Sequence, residues 1–180
     1  MAKITVGSKM PDFTFNTAYE SGIKLSDAVS TTGKTALVFL RYYGCTLCQM
    51  DIHNYAKEHA KIAVTGGKML VVLQSVPDTI HEQVKPGELP FDIICDPDQE
   101  LYKLFEIGSM TERPDINDPA VVARFEAMKN SGFSHGKYEG NEQQLPACFV
   151  LSPDLTVTHA HYGSWVGDSP STDELAALLS

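Results

Sequence analysis

Long apolar runs are missing from this 180-residue sequence, and so is any excess of basic side chains. No window reaches the roughly 20 apolar residues that a bilayer-spanning helix needs, and the opening MAKITVGSKM carries no apolar stretch of signal-peptide length. The expectation is a soluble, cytoplasmic protein with no membrane partner. Lysine plus arginine number 14 against 23 aspartate plus glutamate, for a net charge of -9. Such a surface repels phosphate backbones, which removes nucleic acid from the expected partners.

Cysteine is scarce as well, with four in the chain. Only Cys45 and Cys48 lie close together, which excludes the dense disulfide framework of a small secreted domain. No second Cys-x-x-Cys follows Cys48, so the two such pairs of the usual structural zinc site are not in view, and neither a metal nor another cofactor is expected. Internal repeats and low-complexity tracts are absent too. With 43% hydrophobic residues, the chain has enough material for one full core, and a single domain over residues 1–180 is expected.

What is present begins with periodicity. TALVFLRYY, Thr35 to Tyr43, is a continuous apolar and β-branched run ending at Gly44, which suits a strand buried on both faces. From Cys48 the period changes: Ile52, Tyr55, Ala56, His59, Ile62 and Ala63 share one helical face, and Gly66-Gly67 closes the segment. KMLVVLQS, Lys68 to Ser75, is a second buried strand, so residues 35–75 read as a βαβ unit with a right-handed crossover. A short helix over Asp78 to Lys85, a strand FDIIC, a helix DQELYKLF and an antiparallel hairpin within LPACFVLSPDLTVTHAHYG follow. Ser171 and Glu174 have capping-box spacing before a final helix DELAALL.

Residues 109–144 are too long for an ordinary connection. A helix over 119–129, capped by Asp118 with Pro119 in its first turn, is expected to pack through Val122, Phe125 and Met128, with Val121 on the same face. Residues 132–140, with three glycines, are expected to stay more mobile. The excursion reads either as a surface element packed on the core or as a lid or partner surface.

Chemistry concentrates at RYYGCTLC. A Cys-x-x-Cys at a strand-to-helix junction puts the first sulfur at the helix N-terminus, where free N–H groups and the dipole favour a thiolate, and the second about one turn inside. Cys45 is therefore expected to have the lower pKa. Cys95 and Cys148 read as buried apolar thiols, and His53, His59, His159 and His161 as surface or satisfied histidines.

These segments, together with VGSKMPDFTF (6–15), LSDAV (25–29), CDPDQELYKLFEIG (95–108) and GDSPSTDELAALL near the end, resemble the peroxiredoxin-like branch of the AhpC/TSA redoxins. That resemblance implies an α/β fold, a thioredoxin-like three-layer sandwich with a central mixed sheet, an N-terminal hairpin and the one long insertion at 109–144. Peroxidases of the superfamily carry Pro-x3-Thr/Ser-x2-Cys and a distant arginine. Cys48 matches the peroxide-reducing cysteine, but Arg41 stands at the proline, Cys45 at the hydroxyl and Pro146 at the arginine.

Thioredoxin-type members instead pair Cys-x-x-Cys with a facing cis-proline, a placement that LPACF matches at Pro146. The implied function is a thiol-dependent oxidoreductase with Cys45 and Cys48 catalytic and Pro146 and Arg41 positioning substrate. Either Cys45 attacks a protein or small-molecule disulfide and Cys48 resolves it, which is the favoured reading, or Cys48 attacks a hydroperoxide and Cys45 resolves it. An external thiol reductant completes both cycles. The non-enzymatic alternative is a thioredoxin-fold module that senses redox state or binds a metal through the pair.

Overall fold

The computed structural model describes residues 3–180. A five-stranded sheet of order β5-β4-β3-β6-β7 forms the middle layer. Its strands are β3 Thr35–Phe39, β4 Lys68–Leu73, β5 Asp92–Cys95, β6 Ala147–Leu151 and β7 Val157–Tyr162. Strands β3, β4 and β5 run parallel, while β6 and β7 pair antiparallel beyond β3. The expected N-terminal hairpin exists in short form, β1 Thr14–Phe15 against β2 Ile23–Lys24.

Alternation along β3 explains the three layers. Ala36 and Val38 join one core cluster, with Cys48, Ile52, Tyr55 and Leu175. Leu37 and Phe39 join the other, with Leu25, Tyr102 and Phe105. The first face is covered by α2 Thr46–Lys57, α3 Ala60–Ala63 and α7 Thr172–Leu179, the second by α1 Leu25–Ala28 and α5 Glu100–Leu104. Each large apolar side chain removed from water in this way contributes roughly 1.5–3 kcal/mol.

The capping box at α7 is formed in both directions, with Ser171 and Glu174 bonding each other's backbone N–H. Strand β3 stops at Phe39 rather than Tyr43: Leu40 N–H still bonds Val72 O and Arg41 O still accepts Gln74 N–H, after which the chain turns at residues 42–45 through a Cys45 N–H bond to the Tyr42 carbonyl. The helix expected to run through Ala63 breaks after Lys57, where tightened i to i+3 bonds such as Lys61 N–H to Glu58 take over. Ile62 nevertheless keeps its place in the core.

A short α4, Pro77–Gln83, follows β4, and the excursion holds α6, Pro119–Asn130, capped by Asp118 on Ala120 N–H as expected. Its packing face differs from expectation. Val121 is buried while Val122 is 39% exposed, because Val121, Arg124, Phe125 and Met128 follow the i, i+3, i+4, i+7 stripe that turns toward α2. The base of the excursion is zipped shut by Met110 N–H to Gln143 O and Leu145 N–H to Gly108 O.

Candidate active site

Cys45 is the N-cap of α2, and its sulfur accepts the Cys48 backbone N–H at 3.3 Å. The turn at residues 42–45 brings the cap beside the Arg41 side chain, whose Nη2 donates to Cys45 Sγ at 2.9 Å. Arg41 backbone N–H reaches Cys48 Sγ at 3.4 Å. One residue thus serves both sulfurs, its side chain on the first and its main chain on the second.

The two thiols are driven apart electrostatically. A hydrogen bond from the Cys48 thiol and the Arg41 guanidinium hold Cys45 down, to about 6, against the opposing effect of burial. Burial pushes Cys48 well above the usual thiol range, reinforced by its thiol bond to Cys45 and by the Cys45 charge. This agrees with the expected order, Cys45 below Cys48. Cys95 and Cys148 are pushed up to about 12, chiefly by burial, and are unreactive packing thiols at neutral pH.

Both cysteines of the pair are buried: Cys45 is 0% and Cys48 2% exposed. The cover is the second half of the excursion, residues 133–144, which forms a strap rather than the loose segment its glycines suggest. Gly136 N–H bonds Gly44 O at 2.8 Å, and Gln49 Nε2 bonds Ser134 O at 2.9 Å. The Glu139 carboxylate accepts from Ser75 Oγ, Val76 N–H and Thr79 Oγ1, supplying the cap that the N-terminus of α4 lacks. Asn141 and Gln74 exchange two bonds. Gly44 is required by this approach, since a Cβ there would lie 2.1 Å from Lys137 O.

Two further bonds fasten the strap to the pair. Arg41 Nη1 donates to Glu142 O at 2.6 Å, and Tyr42 Oη donates to Glu142 Oε1. His135 Nε2 lies 2.9 Å from the same hydroxyl. Deeper in, Arg124 of α6 pairs with the buried Asp51 of α2, and Ser169 Oγ donates to the second Asp51 oxygen at 2.6 Å. Among the described residues, no group of three or more His, Cys, Asp or Glu side chains is placed to hold a metal ion.

A strand-to-helix cysteine pair under a guanidinium, at the end of β3 in a mixed sheet, is the arrangement of a redoxin. The model of the AhpC/TSA family matches residues 6–160. The chain belongs to the AhpC/TSA family. It is therefore a thiol oxidoreductase or thiol peroxidase, built on the thioredoxin-like fold.

Solved structures agree with this redoxin fold. A mutant of peroxiredoxin 6 of Arenicola marina aligns at 17% identity and TM-score 0.63, over 89% of this chain and 66% of its own. Peroxidoxin BcpB of Mycobacterium tuberculosis aligns at 14% and 0.63, over 96% and 94%. A candidate DsbE-type thiol:disulfide interchange protein of Chlorobium tepidum aligns at 19% and 0.56, over 89% and 87%. At these identities the likeness is one of fold. No curated protein matches the sequence.

Pro146 departs from the thioredoxin-type expectation for this redoxin. No cis peptide bond occurs among the described residues, so Leu145-Pro146 is trans, the ordinary state of an X-Pro bond. Its surroundings leave no open edge: Leu145 N–H is taken by Gly108 O, and the Pro146 carbonyl by Gly163 N–H at 2.8 Å. Pro146 itself is buried. Sequence reasoning flagged Arg41 but missed Tyr42, His135 and Glu142, whose partners lie about a hundred residues away and leave no local pattern.

Proposed function

We propose that this redoxin is a dithiol oxidoreductase that cycles between free thiols and a Cys45–Cys48 disulfide, with Cys45 as the attacking sulfur. The observation that carries the reading is the convergence of Arg41 Nη2 and the Cys48 backbone N–H on Cys45 Sγ. Charge-assisted donors and a helix start favour the thiolate there.

In thiol–disulfide exchange the Cys45 thiolate attacks one sulfur of the substrate. A mixed disulfide forms and the other substrate sulfur leaves as a thiolate, taking a proton from water. Forming the mixed disulfide removes the negative charge on Cys45, which is one of the influences that hold Cys48 protonated. Arg41 and its backbone N–H, which favour the Cys48 thiolate, stay in place. Cys48 then attacks the Cys45 sulfur, the Cys45–substrate S–S bond breaks, and the departing substrate sulfur takes up the proton that Cys48 gives up. Two electrons have moved from the pair to the substrate, and an external thiol returns them.

The closed cover favours a second reading of the substrate, a hydroperoxide. A small oxidant needs less room than a protein disulfide, and the backbone groups beside Pro146 are occupied. Here the Cys45 thiolate attacks the near oxygen, the O–O bond breaks, the far oxygen takes a proton from water and leaves as an alcohol or water, and the Cys48 thiol attacks the sulfenic sulfur, its proton departing with the hydroxyl as water. Arg41 supplies one donor where the leaving oxygen gains charge, a contribution of about 3 kcal/mol in comparable sites.

Single-turnover rates of the reduced protein with hydrogen peroxide, a small aromatic disulfide and a protein disulfide test both readings. Cys48→Ser is expected to trap the first adduct on Cys45, and Cys45→Ser to abolish the first step. Retained rapid reaction of Cys45→Ser through Cys48 overturns the assignment.

A further inference from the structure

Arg41 is a mostly buried cation with few anchors. Nη2 meets Cys45 Sγ and Nη1 meets the Glu142 carbonyl, whereas buried Nε has no hydrogen-bond partner. The direction of the guanidinium is therefore fixed from two sides, by the sulfur it serves and by one carbonyl of the strap. That carbonyl is itself held. The Glu142 side chain accepts the Tyr42 hydroxyl, and Tyr42 is fully buried and shares its hydroxyl with His135. Neighbouring Asn141 is bonded to Gln74, and Gln143 O to Met110 N–H.

We infer that Glu142 is a positioning residue: the Tyr42 hydroxyl latches its carboxylate so that its main-chain carbonyl aims Arg41 at Cys45. The inference rests on the reading of Cys45 as the attacking thiolate. Its physical content is that the insertion tunes the nucleophile. A guanidinium carries five N–H donors in a rigid plane, so a carbonyl on one terminal nitrogen orients the other. Without the latch Arg41 can turn its unbonded Nε and its terminal nitrogens toward water, and the Cys45 charge loses its partner. The bonds to the two sulfurs come from Arg41 and the Cys48 N–H, so Glu142 acts on Cys45 through Arg41.

The test is a pH titration of Cys45 in the reduced full chain, read by thiolate absorbance and by alkylation rate with mass mapping. Burial holds Cys95 and Cys148 near 12 and Cys48 well above the usual range, so the signal below pH 8 belongs to Cys45. Glu142→Ala is expected to raise the inflection by about one unit, so that at pH 6 the thiolate absorbance, and the alkylation rate taken relative to its own high-pH plateau, fall about five-fold. Glu142→Gln can still accept the Tyr42 hydroxyl and should stay within about two-fold of wild type. Both variants lose the same charge, so their difference isolates the hydrogen bond.

Tyr42→Phe removes the latch from the other side and should shift the curve in the same direction as Glu142→Ala, which provides the test if that variant folds poorly. Arg41→Met should raise the inflection as well, and adding Glu142→Ala to it should change nothing more. An unmoved titration in both Glu142→Ala and Tyr42→Phe overturns the inference, as does a Glu142→Ala effect that persists in the Arg41→Met background. A wild type in which Cys45 titrates as an ordinary thiol would overturn the reading of the nucleophile itself, and this inference with it.

Discussion

A guanidinium withdrawn from water needs an anion close by, and Cys45 Sγ, 2.9 Å from Arg41 Nη2, is the group able to become one. The same short stretch keeps Cys48 protonated by burying it, so two chemically identical side chains, three residues apart, behave differently. Brief iodoacetamide treatment of the reduced protein should label Cys45 first. The rate should climb with pH through about 6 and flatten above it, because only the thiolate reacts and Cys45 is held near that value. Cys95 and Cys148, pushed up to about 12, should stay unlabelled on that timescale. Mass mapping decides the order, and first labelling at Cys48 would reverse the roles assigned to the pair.

At the scale of elements, α6 and the strap are attached to the fold at separate points that can be cut separately. Arg124→Ala leaves Asp51, 4% exposed, with Ser169 as its remaining side-chain partner, and breaking such a buried pair costs about 3 kcal/mol. Burial already holds the Asp51 carboxyl above its ordinary range while Arg124 opposes that rise. Removing Arg124 raises it further, so the folded state binds the extra proton. The stability loss should therefore be smallest in acid and grow as pH rises through the carboxylate range, which denaturant titrations at several pH values would show. The strap is cut by Gly44→Ala. The new methyl meets main-chain atoms of Lys137, which cannot rotate aside, so the Gly136 bond must break. Amide exchange near residue 136 should then rise about five- to ten-fold, the loss of roughly one hydrogen bond. Unchanged protection there would mean that the backbone yields elsewhere.

Over the whole molecule, the sequence revealed what depends on neighbours along the chain. Alternation and buried runs announced β3, β4 and the βαβ unit, Ser171 and Glu174 announced α7, and the helix start at Cys45 announced the order of the thiols. Arg41 was visible as a charge beside the pair, but not the direction of its side chain. What stayed hidden was carried by partners far apart in sequence: Arg41 with Glu142, Tyr42 with His135, Asp51 with Arg124. Glycines at 132, 136 and 140 suggested looseness because their local conformational freedom is visible while the bonds that restrain them are not. The closed strap has a kinetic consequence. With Cys45 at 0% exposure, a reagent reaches the sulfur only after the cover lifts, so the labelling rate should be proportional to reagent concentration when dilute and level off when concentrated. The ceiling is the lifting rate, and it should be the same for two reagents of unlike chemistry and intrinsic speed. Unequal ceilings, or strict proportionality throughout, would mean that a path to the sulfur exists beneath the strap. A common ceiling would also cap turnover with any oxidant, making the lifting of the 133–144 segment, and not the chemistry of the thiolate, the slow step.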